Sequence, residues 1–257
     1  MASKKETAIT PLQFEWDSIV AVDDMDLKNR LKPSSILQFF QDIATEHANI
    51  LDIGYRKMMS MKCFWVLTKV SAEVVKNPSM CERVKIRTYP RKPSPVEATR
   101  DYYILDSKGE VLVRGSSKWC VLDFANKKIR RISDVFSYTD EYYYPKDAIS
   151  GGCTRLRSPT DGKVIGDYEV KITDLDTNVH MNNAKYANLL LDYENIDFVQ
   201  KHDLKCFEIN YLGELAFAEK VKIIRAGESG ERIYHGVKSD GRDAFLMSAK
   251  WEKRRGK

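Results

Sequence analysis

An internal repeat constrains this chain more than any other feature, because a duplicated unit must fold twice and pack against its own copy. Three pairs of segments match in the same order along the chain: 20–43 with 170–193, 82–86 with 219–223, and 106–119 with 238–251. The first pair aligns without a gap at an offset of 150 residues, so that Asp24 falls on Asp174 and Asp26 on Asp176. Three collinear matches indicate that a single domain has been duplicated.

Each repeat has the pattern of one helix followed by several strands. Segments 14–22 and 166–172 alternate apolar and polar residues, as strands with one buried face do, and each leads into a loop that carries aspartates. A helix of about four turns is predicted after each loop, and the one after Asn182 is apolar nearly all round, which is typical of an enclosed helix. Short strands separated by turn residues complete each repeat. The pattern predicts an α+β protein, a tandem (double) hot-dog in which a curved antiparallel sheet wraps each central helix.

We expect the repeats to occupy residues 1–145 and 146–257, divided within the segment 140–163, where glycines, prolines and polar residues interrupt the pattern. Hot-dog units pair edge to edge, because an exposed sheet edge invites further pairing, and a tandem repeat supplies that pair within one chain. The sequence leaves open whether two such chains join into a homodimer.

Composition places the chain among ordinary globular proteins. With 43% hydrophobic residues it can build a core, and its five cysteines lack a C-x-x-C pair, which argues against a disulfide framework or a zinc site. No apolar run approaches the roughly 18 residues that span a bilayer, and the start MASKKETAIT has no signal-peptide core, so a cytoplasmic protein is expected. The net charge of +5 suits an acidic partner, whereas the lack of aromatic residues among the basic clusters disfavours nucleic acid.

The two copies differ at the positions where the second copy concentrates its polar groups. Asn178 and His180 align with Lys28 and Arg30, so that only the second copy has a neutral amide and a titratable ring there. Catalytic groups usually cluster in this way at the entrance of an element. This difference between the aligned residues indicates a duplicated protein in which only the second repeat has kept an active site.

Asp176 and Asn182 each have a structural reading beside the chemical one. Asp176 aligns with Asp26 in the copy that lacks the site, so it is either a turn residue or a chemical group. Asn182 is most simply a helix N-cap. The first-turn amides that it would cap form a positive helix end, which can stabilise a developing oxyanion.

The segment DLDTNVHMNNAKY at 174–186 closely resembles the signature of acyl-ACP thioesterases, double-hot-dog enzymes that release fatty acids from acyl carrier protein. The segment YLGELAFAEKV at 211–221 resembles the family's strand with the catalytic glutamate, and that residue falls on Glu214. The first repeat agrees at four segments, so that the resemblance covers nearly the whole chain: 41–55, 88–92, 99–106 and 116–123. The resemblance implies a bacterial-type member with these catalytic residues: Asp176, Asn178, His180 and Glu214.

One departure from the family pattern bears on the chemistry. Leu215 stands where many members have a cysteine after the glutamate, which excludes a Cys-His nucleophile at that position and leaves oxygen chemistry. We expect Glu214, with His180, to activate a water, while Asn178 and the amides at the helix start hold the thioester. Asp176 either orients these groups or attacks the thioester directly. A carboxylate base at this position would gain strength from partial burial, which raises its pKa toward the working pH.

Substrate-binding residues are expected in both repeats. Asn182 lies beside the catalytic set, and Phe39, Phe40, Phe64 and Trp65 of the first repeat are the predicted lining of an acyl tunnel, although each could equally be a core residue. The resemblance implies acyl carrier protein with a phosphopantetheine-linked acyl chain as the partner. No metal or organic cofactor is expected, since the four histidines have no ligand spacing and no glycine-rich phosphate loop is present.

Other functions fit parts of the pattern. An acyl-CoA thioesterase of the same fold would use the same groups. A hot-dog hydratase acting on enoyl thioesters would use an Asp-His pair but would leave Glu214 without a task. A non-catalytic module that binds an acyl carrier would need the polar cluster only as a helix cap, and the retention of Asn178, His180 and Glu214 in one repeat argues against it.

Overall fold

The computed structural model describes residues 13–136, 140, 143–228 and 230–254, so the N-terminal segment that suggested a cytoplasmic protein lies outside the described residues. An antiparallel sheet dominates the structure. Its strands are β1 (Phe14–Ile19), β2 (Cys63–Val74), β3 (Arg83–Pro90), β4 (Ala98–Leu105), β5 (Val111–Asp123), β6 (Ile129–Arg130), β7 (Lys163–Glu169), β8 (His202–Tyr211), β9 (Lys220–Ala226), β10 (Glu231–Lys238) and β11 (Asp243–Lys253). The helices are α1 (Pro33–Ile50), α2 (Tyr55–Ser60), α3 (Leu189–Asp192) and α4 (Ile196–Lys201). In the described part of the chain, no helix is long and apolar enough to cross a bilayer.

The strand order repeats the duplication seen in the sequence. The first half runs β1-β3-β4-β5-β2 and the second runs β7-β9-β10-β11-β8, while the short β6 pairs only with β5. The halves join where β2 pairs with β8, from Lys69 opposite Asn210 to Glu73 opposite Cys206. Each half wraps a helical segment, which confirms the predicted tandem hot-dog.

The central helix forms as predicted in the first repeat but not in the second. α1 has 18 residues, begins with Pro33, and buries Ile36, Phe40 and Ile43 along one face. After Asn182 the second repeat has a 3₁₀ turn at 185–188, then α3 of only four residues, then α4. The prediction of one four-turn helix is therefore wrong for this repeat.

A buried glutamate explains the break in the second helix. The Glu194 carboxylate, 2% exposed, lies 3.0 Å from Arg225 Nη1 and accepts a hydrogen bond from Tyr234 Oη at 2.5 Å. Holding Glu194 against the sheet interrupts the helix, and the Asn195 side chain then caps α4 by accepting from the Asp197 amide at 2.8 Å. Apolar periodicity cannot reveal such a break, because it arises from arginines more than 30 residues further along the chain.

The segment between the repeats crosses the sheet on the face opposite α1. Tyr102 stacks on an α1 side chain, so its neighbour Asp101 points to the other face, where the Ala148 amide donates to its carboxylate at 3.0 Å. The Thr154 amide donates to Glu208 of β8 at 2.5 Å. Burial raises the pKa of both carboxyls. The segment thus bonds to strands of both repeats.

An ion-pair cluster joins the loop of the first repeat to β8 of the second. Asp203 lies 3.1 Å from Lys28 Nζ and 3.4 Å from Arg30 Nε, and Lys28 also donates to the His202 carbonyl. The side chains of Lys28 and Asp203 are 6% and 19% exposed, so both have lost most of their water. Burial by itself would raise the pKa of Asp203, but Lys28, Arg30 and Arg254 outweigh it and hold this pKa below its usual value.

Replacing Asp203 by asparagine should lower the free energy of unfolding by roughly 2 kcal/mol at pH 7, because Lys28 would stay buried without a counter-charge. A carboxylate with a depressed folded-state pKa stabilises the fold above its unfolded pKa, near 3.8, and this contribution is lost as the pH falls through the folded pKa. Urea denaturation over a pH series should show wild type and variant differing at neutral pH and converging only in acid.

Glu252→Gln is the matched control for Asp203→Asn. It removes an exposed ion pair with Lys205 on the neighbouring strand and should cost less than about 0.5 kcal/mol. A variant at Asp203 that is as stable as wild type at pH 7 would contradict the stabilising role of the cluster.

Candidate active site

The polar segment of the second repeat folds into a tight loop before the 3₁₀ turn. The Asp176 amide donates to the His180 carbonyl at 2.8 Å, and the Asn182 amide donates to the Asp174 carbonyl at the same distance. The Asp174 carboxylate accepts from the Lys171 amide at 2.7 Å, as the aligned Asp24 carboxylate accepts from the Ala21 amide at 2.8 Å, so both aspartates stabilise a turn. These bonds set the direction in which the His180 side chain leaves the loop.

The first repeat forms the same loop with different side chains. Its Asp26 amide donates to the Arg30 carbonyl at 2.7 Å, and the Asp26 carboxylate accepts from the Lys28 amide at 2.7 Å. The Asp176 carboxylate likewise accepts from the Asn178 amide at 2.8 Å, and its other oxygen lies 3.5 Å from Asn178 Nδ2. Asp176 therefore shares its turn role with Asp26, and in the second repeat it also adjoins the Asn178 carboxamide.

One residue of the loop has a strained backbone only in the second repeat. Val179 has a φ of 62°, in the left-handed region that β-branched residues rarely adopt. Its counterpart Asn29 has a φ of 56°, and asparagine tolerates this conformation. Val179 stands between Asn178 and His180, and strain of this kind is often stored at functional sites.

His180 and Glu214 face each other across two loops. His180 Nε2 lies 3.5 Å from Glu214 Oε2, and the side chains are 38% and 63% exposed. Glu214 follows β8 in a loop, so the prediction that it lies on a strand is wrong, and its carboxylate is exposed. The strand ends because the chain must turn toward the His180 loop, where the Met181 amide donates to the Leu215 carbonyl at 2.8 Å. This bond and the bridge between His180 and Ala216 bring the two loops together.

A lysine fixes the other side of the Glu214 loop. Lys238 Nζ, at the end of β10, donates to the Glu214 carbonyl at 2.5 Å and lies 2.9 Å from Glu219 Oε1. Glu219 Oε2 accepts from the Ala216 amide at 3.0 Å. The Glu214 backbone is therefore held from two sides, while its carboxylate remains free to meet His180 and solvent.

A cleft lies under α1 of the first repeat, and His180 and Glu214 are not among the residues that line it. Its walls include Leu37, Phe40 and Gln41 from α1, and Asn183, Ala184 and Tyr211 from the second repeat. The Tyr211 hydroxyl donates to the Asn183 carbonyl at 2.8 Å. Asn183 is three residues from His180 and Tyr211 is three residues from Glu214, so this wall adjoins the polar pair. We call it the open cleft.

The structure separates the four aromatic residues predicted to line an acyl tunnel. Phe40 lines the open cleft, with its ring stacked on Tyr102 at 4.4 Å between centroids, whereas Phe39 packs partly buried against the main core. Phe64 contacts Phe124 at 6.2 Å between centroids. Trp65 packs against a second, small core, so neither Phe64 nor Trp65 lines the open cleft.

Four backbone amides at the start of the second helical segment already have acceptors, whereas the Asn183 amide has none among the described residues. The Asn182 side-chain oxygen accepts from the Ala184 amide at 2.8 Å, and the Lys185 amide donates to the Asn182 carbonyl at 2.9 Å. The prediction that Asn182 is the helix N-cap is wrong, because the 3₁₀ turn begins at Lys185 with Ala184 at the N-cap position. The Met181 amide is bonded to Leu215. These amides are committed within the protein, which removes most of the oxyanion donors that the sequence suggested here. Across the described residues, no three side chains of metal-ligating type come together.

Family models of two adjoining domains match the chain in order. The acyl-ACP thioesterase N-terminal domain matches residues 11–141, and the acyl-ACP thioesterase C-terminal domain matches residues 157–253. Together they cover most of the 257 residues. The chain belongs to the acyl-ACP thioesterase family. Within this family its individual relatives are distant.

Two plant relatives show how low the sequence identity is. The chloroplastic oleoyl-acyl carrier protein thioesterase 2 of Arabidopsis thaliana is 23% identical over 237 residues, which are 85% of this chain and 63% of the relative. The chloroplastic palmitoyl-acyl carrier protein thioesterase of Gossypium hirsutum is 23% identical over 192 residues, which are 70% of this chain and 46% of the relative. The chain thus spans between about half and two thirds of the length of these acyl-ACP thioesterases.

Solved acyl-ACP thioesterases have the same fold over nearly the whole chain. One from Bacteroides thetaiotaomicron superposes with a TM-score of 0.87 at 18% identity and covers 94% of this chain and 98% of its own. The 12:0-ACP thioesterase of Umbellularia californica gives a TM-score of 0.84 at 16% identity, with coverage of 95% and 98%. These similarities establish the double hot-dog fold.

Three residues of this arrangement escaped the sequence-based prediction: Gln41, Tyr211 and Lys238. Gln41 aligns with Leu191, so the comparison of repeats that singled out His180 could also have found it. Nothing in the sequence links Lys238 to the glutamate loop, because they meet only in the folded sheet.

Replacing Val179 by asparagine should raise the free energy of unfolding by about 1 kcal/mol, because it relieves a β-branched residue of the left-handed conformation. The reciprocal change Asn29→Val in the first repeat is the matched control and should lower it by a similar amount. Chemical denaturation of both variants measures the two effects. The interpretation that the Val179 backbone is strained would be contradicted if Asn29→Val raised the free energy of unfolding, or if Val179→Asn left it unchanged.

Proposed function

We propose that this member of the acyl-ACP thioesterase family hydrolyses the thioester of fatty acyl-[acyl carrier protein], releasing a free fatty acid and the carrier with its thiol. The observation that carries the proposal is the pairing of His180 with Glu214 at 3.5 Å, each three residues along the chain from a residue that lines the open cleft. The pair supplies groups for proton transfer, and the cleft offers apolar walls for an acyl chain. The names of the plant relatives support this substrate class.

In the proposed reaction a water held by Glu214 and His180 attacks the thioester carbonyl carbon. Glu214 takes a proton from the water as the new C–O bond forms, and negative charge develops on the carbonyl oxygen. Collapse of the tetrahedral intermediate breaks the C–S bond, and the proton passes through His180 to the leaving sulfur. The products are the fatty acid and the pantetheine thiol. Exposure of the Glu214 carboxylate suits this role, because water reaches it directly.

We propose that Asp176 is an orienting group and that Asn178 contacts the thioester. The Asp176 carboxylate accepts from the Asn178 amide and lies near Asn178 Nδ2, which holds the carboxamide in place. Asp26 makes the equivalent backbone bond in the repeat without the polar pair, which supports a turn role over direct attack. A water therefore remains as the nucleophile.

The acyl chain is proposed to enter the open cleft toward Phe40, with the carrier protein docked at the exposed His180 and Glu214 loops. Phe40 occupies the space that Gly115 leaves on β5, since a Cβ there would lie 2.2 Å from the Phe40 ring. Tyr102 and Phe40 then form an aromatic floor under α1. Because one chain supplies both the polar pair and this floor, the proposed site needs no second chain.

Replacing Glu214 by glutamine or His180 by alanine should lower kcat on acyl-ACP by about 100-fold or more, because each change removes a group that moves the proton. Both side chains are substantially exposed, so the melting temperature should change little. Steady-state release of free fatty acid from purified acyl-ACP measures the effect. Glu231→Gln, an exposed glutamate on β10, is the control and should keep wild-type turnover. Near-normal kcat in both site variants would overturn the assignment.

The substrate itself is tested by comparing acyl-ACP with acyl-CoA of the same chain lengths. We expect a higher kcat/KM on acyl-ACP at each length and a maximum at the length that fills the open cleft. Equal or faster hydrolysis of acyl-CoA would favour an acyl-CoA thioesterase. Tight binding of acyl-ACP without release of acid would favour a non-catalytic binding module.

A further inference from the structure

The duplication gives the molecule a second cleft that corresponds to the open cleft. The second cleft is bounded by the loop of the first repeat and by Leu191, Leu204 and Trp251 of the second. These three align with Gln41, Leu67 and Trp119, which line the open cleft. The alignment is exact in register, since Leu67 pairs with Trp119 across β2 and β5, and Leu204 pairs with Trp251 across β8 and β11. The two clefts can therefore be compared position by position.

Charged side chains line the second cleft, and we call it the charged cleft. Lys28 and Arg30, at the positions of Asn178 and His180, lie 3.1 and 3.4 Å from Asp203. The strand register places Val66 at the position equivalent to Asp203, because Val66 precedes Leu67 as Asp203 precedes Leu204. The first repeat thus has an apolar residue, which does not line the open cleft, at the position where the charged cleft has its counter-ion.

The position of Gln41 shows the reverse pattern. It has a polar residue in the open cleft, whereas the aligned position in the charged cleft has the apolar Leu191. Gln41 lies on α1, next to Phe40 and one turn from Leu37, and both of these residues line the same cleft. Among the residues that the structure describes, its carboxamide has no hydrogen-bond partner. Gln38 on the solvent side of α1 differs, since its Nε2 donates to Asp42 at 2.7 Å. A carboxamide facing a cleft without a protein partner is available to a ligand.

The chemistry proposed above needs a donor at the thioester oxygen, and the backbone offers few. The amides of Met181, Ala184 and Lys185 are already bonded within the protein. A side-chain amide can serve instead, because its NH₂ group donates without competing for the proton that Glu214 removes. Gln41 lines the cleft from the first repeat, whereas Asn183 and Tyr211, each three residues from one member of the polar pair, line it from the second.

We propose that Gln41 of the first repeat is a catalytic residue, whose Nε2 donates a hydrogen bond to the thioester carbonyl oxygen as negative charge develops on it. This inference rests on the proposed thioester hydrolysis. It makes the reaction centre composite, with proton transfer supplied by the second repeat and oxyanion stabilisation by the first.

The test compares Gln41→Leu with wild type on acyl-ACP. Leucine is chosen because the residue aligned with Gln41 in the second repeat is Leu191, which lines the charged cleft. We therefore expect the fold to tolerate leucine at position 41. We expect kcat to fall by about 100-fold, as on removal of one oxyanion donor, with KM within about threefold of wild type. Gln41→Glu keeps the shape but removes the donor and should lose at least as much. Gln38→Leu, one turn away on the exposed side of α1, should retain wild-type kcat.

Binding separates an oxyanion role from a structural one. Carrier protein loaded with a thioether analogue, which lacks the carbonyl, should bind Gln41→Leu and wild type equally. An acyl-pantetheine trifluoromethyl ketone, which mimics the oxyanion when hydrated, should bind the variant at least tenfold more weakly.

Three results would overturn the inference: turnover by Gln41→Leu within threefold of wild type, a rise in KM with unchanged kcat, or equal losses in Gln41→Leu and Gln38→Leu. In each case an active wild type would leave the thioesterase function standing. If wild type releases no acid from any acyl-ACP, the proposed function fails and the role of Gln41 fails with it.

Discussion

The pairing of β2 with β8 is the interaction on which the rest of the structure depends. Each strand would be an exposed edge of its own half-sheet, and their antiparallel bonds from Lys69 to Glu73 remove both edges at once. The same pairing brings α1 of the first repeat beside the helix start of the second. Both clefts include residues of these two strands, Leu67 and Tyr211 in one and Val74 and Leu204 in the other. The junction therefore creates two related clefts whenever the repeats join.

The two clefts have diverged through a few substitutions on a shared backbone. The loops keep the same hydrogen bonds, so Lys28 and Arg30 reach the charged cleft from the positions that Asn178 and His180 hold beside the open one. In the charged cleft the cations meet Asp203 and hold the repeats together. One cleft thus contributes to stability, whereas the other keeps its groups exposed for chemistry. Divergence of this kind needs no change of fold.

Much of this arrangement was predictable from local patterns in the sequence. The alternation within strands such as Lys220–Ala226 and the repeat alignment were enough to predict the double hot-dog. The broken second helix was not predictable, because Glu194 is held by Arg225 and Tyr234 from distant strands. The surroundings of Phe64 and Trp65 also depend on packing, and apolar residues look alike in sequence whichever core they join.

The sequence by itself determined that one hot-dog unit occurs twice and that only the second copy carries Asn178 and His180. Residue type and periodicity are local properties, and comparing two copies of one unit reveals them without coordinates. Only the tertiary structure decided that Glu214 is exposed on a loop held by Lys238, and that Gln41 faces the open cleft from the other repeat. These neighbours are apart along the chain: the pairing of β8 and β10 with β11 brings Lys238 to the Glu214 loop, and the pairing of β2 with β8 brings the first repeat beside the second.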